Sequence, residues 1–134
     1  MSHDLGFFSL KQGATTSEVR AAYLSSCEGE NVSWPPSAAL KSFVSALEKE
    51  YPCIDTLNDD VVDESPWSCG FDKGEGHIIV SMVFSRASEV GDFVWGLLEQ
   101  YELIVFDPQA DKAYIGNSEL PETRESKKWW QFWK

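Results

Sequence analysis

The chain has 134 residues, 43% hydrophobic and 25% charged, which is ordinary for one globular domain. Its net charge of −11 is uneven: from Pro121 onward four basic and two acidic residues give +2, leaving −13 on the first 120. A body so acidic repels phosphate and excludes direct nucleic-acid binding, while Cys27, Cys53 and Cys69, odd in number and without a CxxC pair, indicate neither a disulfide framework nor a zinc site.

The opening "MSHDLGFFSL" lacks a basic region ahead of an apolar one, and no apolar run approaches the roughly 20 residues of a membrane span. A cytoplasmic location is expected. Leu5 to Leu10 read as a short aromatic strand. In "TTSEVRAAYLSSC", Thr15 and Glu18 have capping-box spacing. Val19, Ala22 and Tyr23 then recur at helical intervals, and Gly29 closes the helix.

The next segment, "SWPPSAALKSFVSALEKEYP", predicts a helix with prolines in its first turn. Leu40, Phe43, Val44, Leu47 and Tyr51 form one apolar stripe, and Pro52 ends it. Asp55 to Glu64 are polar and read as irregular. Beyond them the period becomes two, with Trp67, Cys69 and Phe71 alternating with Ser68, Gly70 and Asp72. "DKGEG" then turns a hairpin. In the following "HIIVSMVFS", Ile78, Val80, Met82 and Phe84 share one face, with Ile79 and Val83 on the other. That strand is expected to be central and covered on much of both sides.

A third helix is predicted in "SRASEVGDFVWGLLEQYE", with Val90, Phe93, Val94, Leu97, Leu98 and Tyr101 inward. "LIVF" is a buried strand, "DPQADK" a turn and "AYIG" a last short strand. The order predicts an α+β, ferredoxin-like split βαββαβ sandwich. Its antiparallel sheet would carry the helices on one face and an added C-terminal strand. A single domain would occupy 1–116, a polar linker 117–126 and an aromatic-basic tail 127–134.

No motif nominates a catalytic residue, cofactor or metal. His77, with Cys69, Asp72 and Glu75 nearby in the hairpin, lacks a defined orienting partner and reads as an exposed polar residue at a strand end. "GFDKGEGH" lies between strands rather than before a helix, so it is a turn and not a phosphate loop. The acids of "DTLNDDVVDE" miss the calcium-loop pattern, because Leu57 and Asp60 stand where a ligand and a glycine are needed.

Two features remain as partner-binding candidates. One is the acidic run of Asp55, Asp59, Asp60, Asp63 and Glu64, suited to a basic protein partner. The other is the tail "SKKWWQFWK", with Trp129, Trp130, Phe132 and Trp133. Burying four rings offers at most about 6–12 kcal/mol, against about 8–16 kcal/mol to order eight residues. The tail therefore needs a groove on its own domain, a second copy, a partner or a membrane surface. Membrane contact is not favoured, since an anionic leaflet repels the body.

The stretch "DESPWSCGFDKGEGHIIVSMVFSRA", followed by a helix and "ELIVFDPQ", resembles small acidic bacterial proteins of immunity (toxin-neutralising) type over roughly residues 60 to 116. The resemblance implies a cytosolic protein that occludes a basic toxin and carries no catalytic residues. The leading expectation is thus a non-enzymatic acidic binding protein. Recruitment to a membrane surface or assembly through the Trp-rich tail is the alternative, and an unrecognised hydrolase the second.

Overall fold

The computed structural model describes residues 2–30, 32–53, 65–68, 70–116 and 118–123. Among them the chain forms strand β1 (Ser2–Phe8), helices α1 (Thr16–Cys27) and α2 (Ala38–Glu50), and strands β2 (Asp72–Lys73) and β3 (His77–Val83). A single 3₁₀ turn, Phe84–Arg86, leads into helix α3 (Ala87–Leu98). Strands β4 (Ile104–Asp107), β5 (Lys112–Ile115) and β6 (Ser118–Glu119) complete the sequence of elements. The six strands make one antiparallel sheet in the order β2-β3-β1-β4-β5-β6.

Register follows from the period of two. Leu5 and Phe7 of β1, Ile78, Val80 and Met82 of β3, and Val105 of β4 point to one face, where α2 and α3 supply Leu40, Phe43, Leu47, Val90, Val94 and Leu97. Phe8, Ile79, Ile104, Phe106 and Ala113 point to the other face, where α1 supplies Val19 and Tyr23. The helices therefore lie on both faces, not on one. The physical reason is that β1, β3 and β4 are apolar at consecutive positions, and a strand buried on both sides needs a cover on each.

Local chemistry explains the boundaries. Thr15 caps α1 by accepting from the Glu18 amide at 3.1 Å, while the Glu18 carboxylate pairs with Lys11. Ser37 caps α2 by accepting from the Leu40 amide at 3.3 Å, so both prolines precede the helix. The predicted strand through Trp67 and Phe71 shrinks to Asp72–Lys73 and an isolated bridge between Trp67 and Met82. Trp67 itself is fully buried and donates its indole N–H to the Tyr51 carbonyl at 2.9 Å. At the far end of β3, Phe84 leaves the sheet and is 60% exposed.

Residues 118–123 depart from the predicted linker. Leu120 donates its amide to Ala113 beside the β5–β6 pair, and the carbonyls of Pro121 and Glu122 accept from the Thr16 and Ser17 amides at 2.8 and 3.0 Å. These contacts satisfy donors that a helix N-terminus otherwise leaves open. Arg20 of α1 secures the segment through Glu122 at 2.8 Å and Asp111 at 2.6 Å. Both partners hold its guanidinium well above the usual arginine range, Glu122 more strongly than Asp111.

Candidate functional site

The candidates nominated from sequence, Asp55, Asp59, Asp60, Asp63, Glu64, Trp129, Trp130, Phe132 and Trp133, all lie outside the described residues. The site that the structure does assemble is elsewhere, at the end of the sheet where the chain passes from one face to the other.

The crossing segment between α1 and α2 carries Trp34, which is 5% exposed, packs edge-on against Phe8 and donates its indole N–H to the Ser9 carbonyl at 2.8 Å. Ser9 in turn donates its hydroxyl to the Pro35 carbonyl and its amide to Gly76 at 2.9 Å. Gly76 has to lack a side chain, because a Cβ there would stand 2.3 Å from the Pro35 oxygen and 2.6 Å from that of Trp34. Between this segment and the β2–β3 turn lies a cleft of about 850 Å³, with Lys11, Ser26, Glu30, Trp34, Asp72, Lys73, Gly74, Glu75 and His77 in its walls.

A hydrogen-bonded chain of three side chains connects the elements that form the cleft. Ser26, in the last turn of α1, places its hydroxyl 2.6 Å from Asp72 Oδ2 and 2.9 Å from His77 Nε2. A serine has one proton, and an ionised carboxylate can only accept. That proton therefore goes to Asp72, and the imidazole must donate Nε2–H to the serine oxygen. The proton count fixes the tautomer and leaves Nδ1 as an acceptor. Nδ1 is buried and has no hydrogen-bond partner among the described residues.

His77 is 4% exposed and stacks on Phe8 at 5.6 Å with an interplanar angle of 17°. It is thus buried at the start of β3, not exposed there. Burial pushes its pKa below the ordinary value and outweighs the opposing charge of Asp72, so the ring is neutral near pH 7. Gly74 lies over the ring: a Cβ at that position would come within 2.3 Å of Nδ1.

This order of groups has a chemical consequence. A nucleophilic serine gives its proton to histidine, whose other nitrogen is oriented by a carboxylate. Here serine stands in the middle and gives its proton to the carboxylate, so Ser26 bridges α1 to the β2–β3 hairpin and is not activated for attack.

The surrounding charge is acidic in effect. Lys11 and Lys73 line the cleft, but they pair with Glu18 and Glu48, neither of which lines it. Glu30 and Glu75 make no such pair among the described residues. The same economy runs over the whole domain. Of its seven described Lys and Arg residues, Lys11, Arg20, Lys73, Arg86 and Lys112 are committed to the chain's own carboxylates.

Among the described residues no group of three or more His, Cys, Asp and Glu side chains is placed to hold a metal, and no helix is long and apolar enough to cross a membrane. Comparison with known proteins found no match to a family model, a curated protein or a solved structure. Sequence reasoning placed Asp72 near His77 in the hairpin but missed Ser26, which comes from a separate element, α1, and completes the chain. A partial signal existed: Ser26 continues the Val19–Tyr23 face at helical spacing, which marks it as an inward polar residue.

Proposed function

We propose that this is a cytoplasmic, non-enzymatic binding protein whose acidic surface takes a basic protein partner, and that immunity-type neutralisation of a basic toxin by occlusion is the form this takes. The observation that carries it is the commitment of five of the seven described cations to internal ion pairs. The chain's carboxylate excess is left for solvent or a partner. Charge of this kind accelerates encounter and selects the sign of the partner. The serine-centred hydrogen-bond chain supports binding over hydrolysis, since it supplies no activated nucleophile. The inner strand order β2-β3-β1-β4 supports taking the core as a split βαββαβ unit with α1 moved to the second face and β5 and β6 added.

The test is affinity capture by the immobilised full chain, repeated as salt rises from about 0.1 M to about 1 M and the screening length falls from about 10 Å to about 3 Å. A basic protein should be recovered at the lower salt, lost at the higher, and encoded beside this chain's own reading frame. Recovery of no basic protein, or a complex indifferent to salt, overturns the proposal.

A further inference from the structure

The cleft beside His77 deepens this reading, on which the following rests. We propose that the cleft seats one cationic side chain of the partner, an arginine or a lysine, and that His77 Nδ1 accepts a hydrogen bond from it.

Two independent observations point there. The first is electrostatic: Glu30, Asp72 and Glu75 line the cleft, and both of its lysines are already neutralised from outside by Glu18 and Glu48. The second is Nδ1 of a 96% buried histidine in the cleft wall, which has no partner among the described residues and which the Ser26 proton count makes an acceptor. The carboxylates and Nδ1 all accept, while the ammonium groups of Lys11 and Lys73 are held by Glu18 and Glu48. The matching ligand brings N–H donors and positive charge and carries no acceptor of its own, which describes guanidinium and ammonium groups.

Access is through the turn. Gly74 covers Nδ1 without a side chain, so seating the donor requires the 74–76 turn, held by the Ser9 amide on the Gly76 carbonyl, to move outward. The charged group facing the imidazole is Asp72 from β2, with Ser26 from α1 and Phe8 from β1 as its uncharged neighbours. Protonation of Nδ1 converts the acceptor into a donor, so acidification should release the ligand.

The experiment is ¹⁵N NMR of the His77 ring in the full chain, titrated with capped tripeptides carrying a central arginine or lysine. Tetramethylammonium serves as a cation without N–H donors. The tripeptides should shift the Nδ1 resonance and bind more weakly as the pH falls below about 6.5, whereas tetramethylammonium should leave Nδ1 unmoved. The variant H77F keeps a ring stacked on Phe8 and leaves the Ser26–Asp72 bond in place but offers no acceptor, so it should keep the fold and lose roughly tenfold in tripeptide affinity.

An Nδ1 resonance unmoved by millimolar tripeptide, an equal response to tetramethylammonium, or unchanged affinity in H77F overturns the assignment. Such a result beside a salt-sensitive basic partner leaves the binding function standing and removes only this site. If the capture experiment fails as well, both fall.

Discussion

Replacing Ser26 by alanine tests the hydrogen-bond chain at its centre. The hydroxyl stands 2.6 Å from Asp72 and 2.9 Å from His77, and its loss affects the two partners differently. Asp72 lies in an exposed strand and can return to water. The His77 Nε2–H is buried, and leaving such a donor unpaired costs about 1–3 kcal/mol. S26A should therefore destabilise the domain by about 2 kcal/mol, or roughly 6–10 °C in Tm for a chain of this size. Urea denaturation of the wild type, S26A, H77L and the double variant isolates the cause. In the H77L background no donor remains to be orphaned, and S26A should then cost only about 0.5–1 kcal/mol. A coupling of at least about 1 kcal/mol is expected from the cycle. Additive effects, or an S26A cost below about 0.5 kcal/mol, would refute the assignment of the Nε2 proton.

Three further outcomes follow from the same geometry. Burial sets the folded His77 pKa below its unfolded value of about 6.5, so its contribution is complete above that pH and lost as the pH falls through the folded value. Urea midpoints should accordingly drop as the pH falls below about 6.5 in the wild type, and less in H77Q. R20M removes the ties to Glu122 and Asp111, and should lower stability by about 1 kcal/mol or less. It should also speed amide exchange at residues 118–123, whose anchoring it removes. Glycine substitutions should split in sign. G76A forces a Cβ to within 2.3 Å of a backbone oxygen and should markedly lower the melting temperature, whereas G96A on the open side of α3 should raise stability by about 0.5–1 kcal/mol.

Helices and strands were legible wherever a single period dominated. The stripe Leu40, Phe43, Leu47 and the inward set Val90, Val94, Leu97 are buried as their spacing implies. The run from His77 to Val83 is a strand paired on both edges, by β1 and β2. Errors came where contacts between distant segments decide. Ser118 to Thr123 look like a linker because they are short and polar, yet they are held by β5, by Arg20 and by the open amides of α1, none adjacent in sequence. Trp67 to Phe71 alternate like a strand, but among their described residues only Trp67 forms a bridge, to Met82.

The distribution of helices over the sheet was also a matter of tertiary structure, although the sequence held the clue. Phe7 and Phe8, Ile78 and Ile79, and Ile104 to Phe106 are apolar at neighbouring positions, so both faces had to be covered. The sequence could show that two faces needed covering, but not which helix would cover which. Periodicity sets an element's type and its inward side, because both are local. By itself the sequence thus determined an acidic α+β domain, the helical stripes and the strand alternation. Only the tertiary structure decided that α1 lies opposite α2 and α3, and that Ser26, Asp72 and His77 meet, because hydrogen bonds and packing between remote segments leave no periodic mark on the chain.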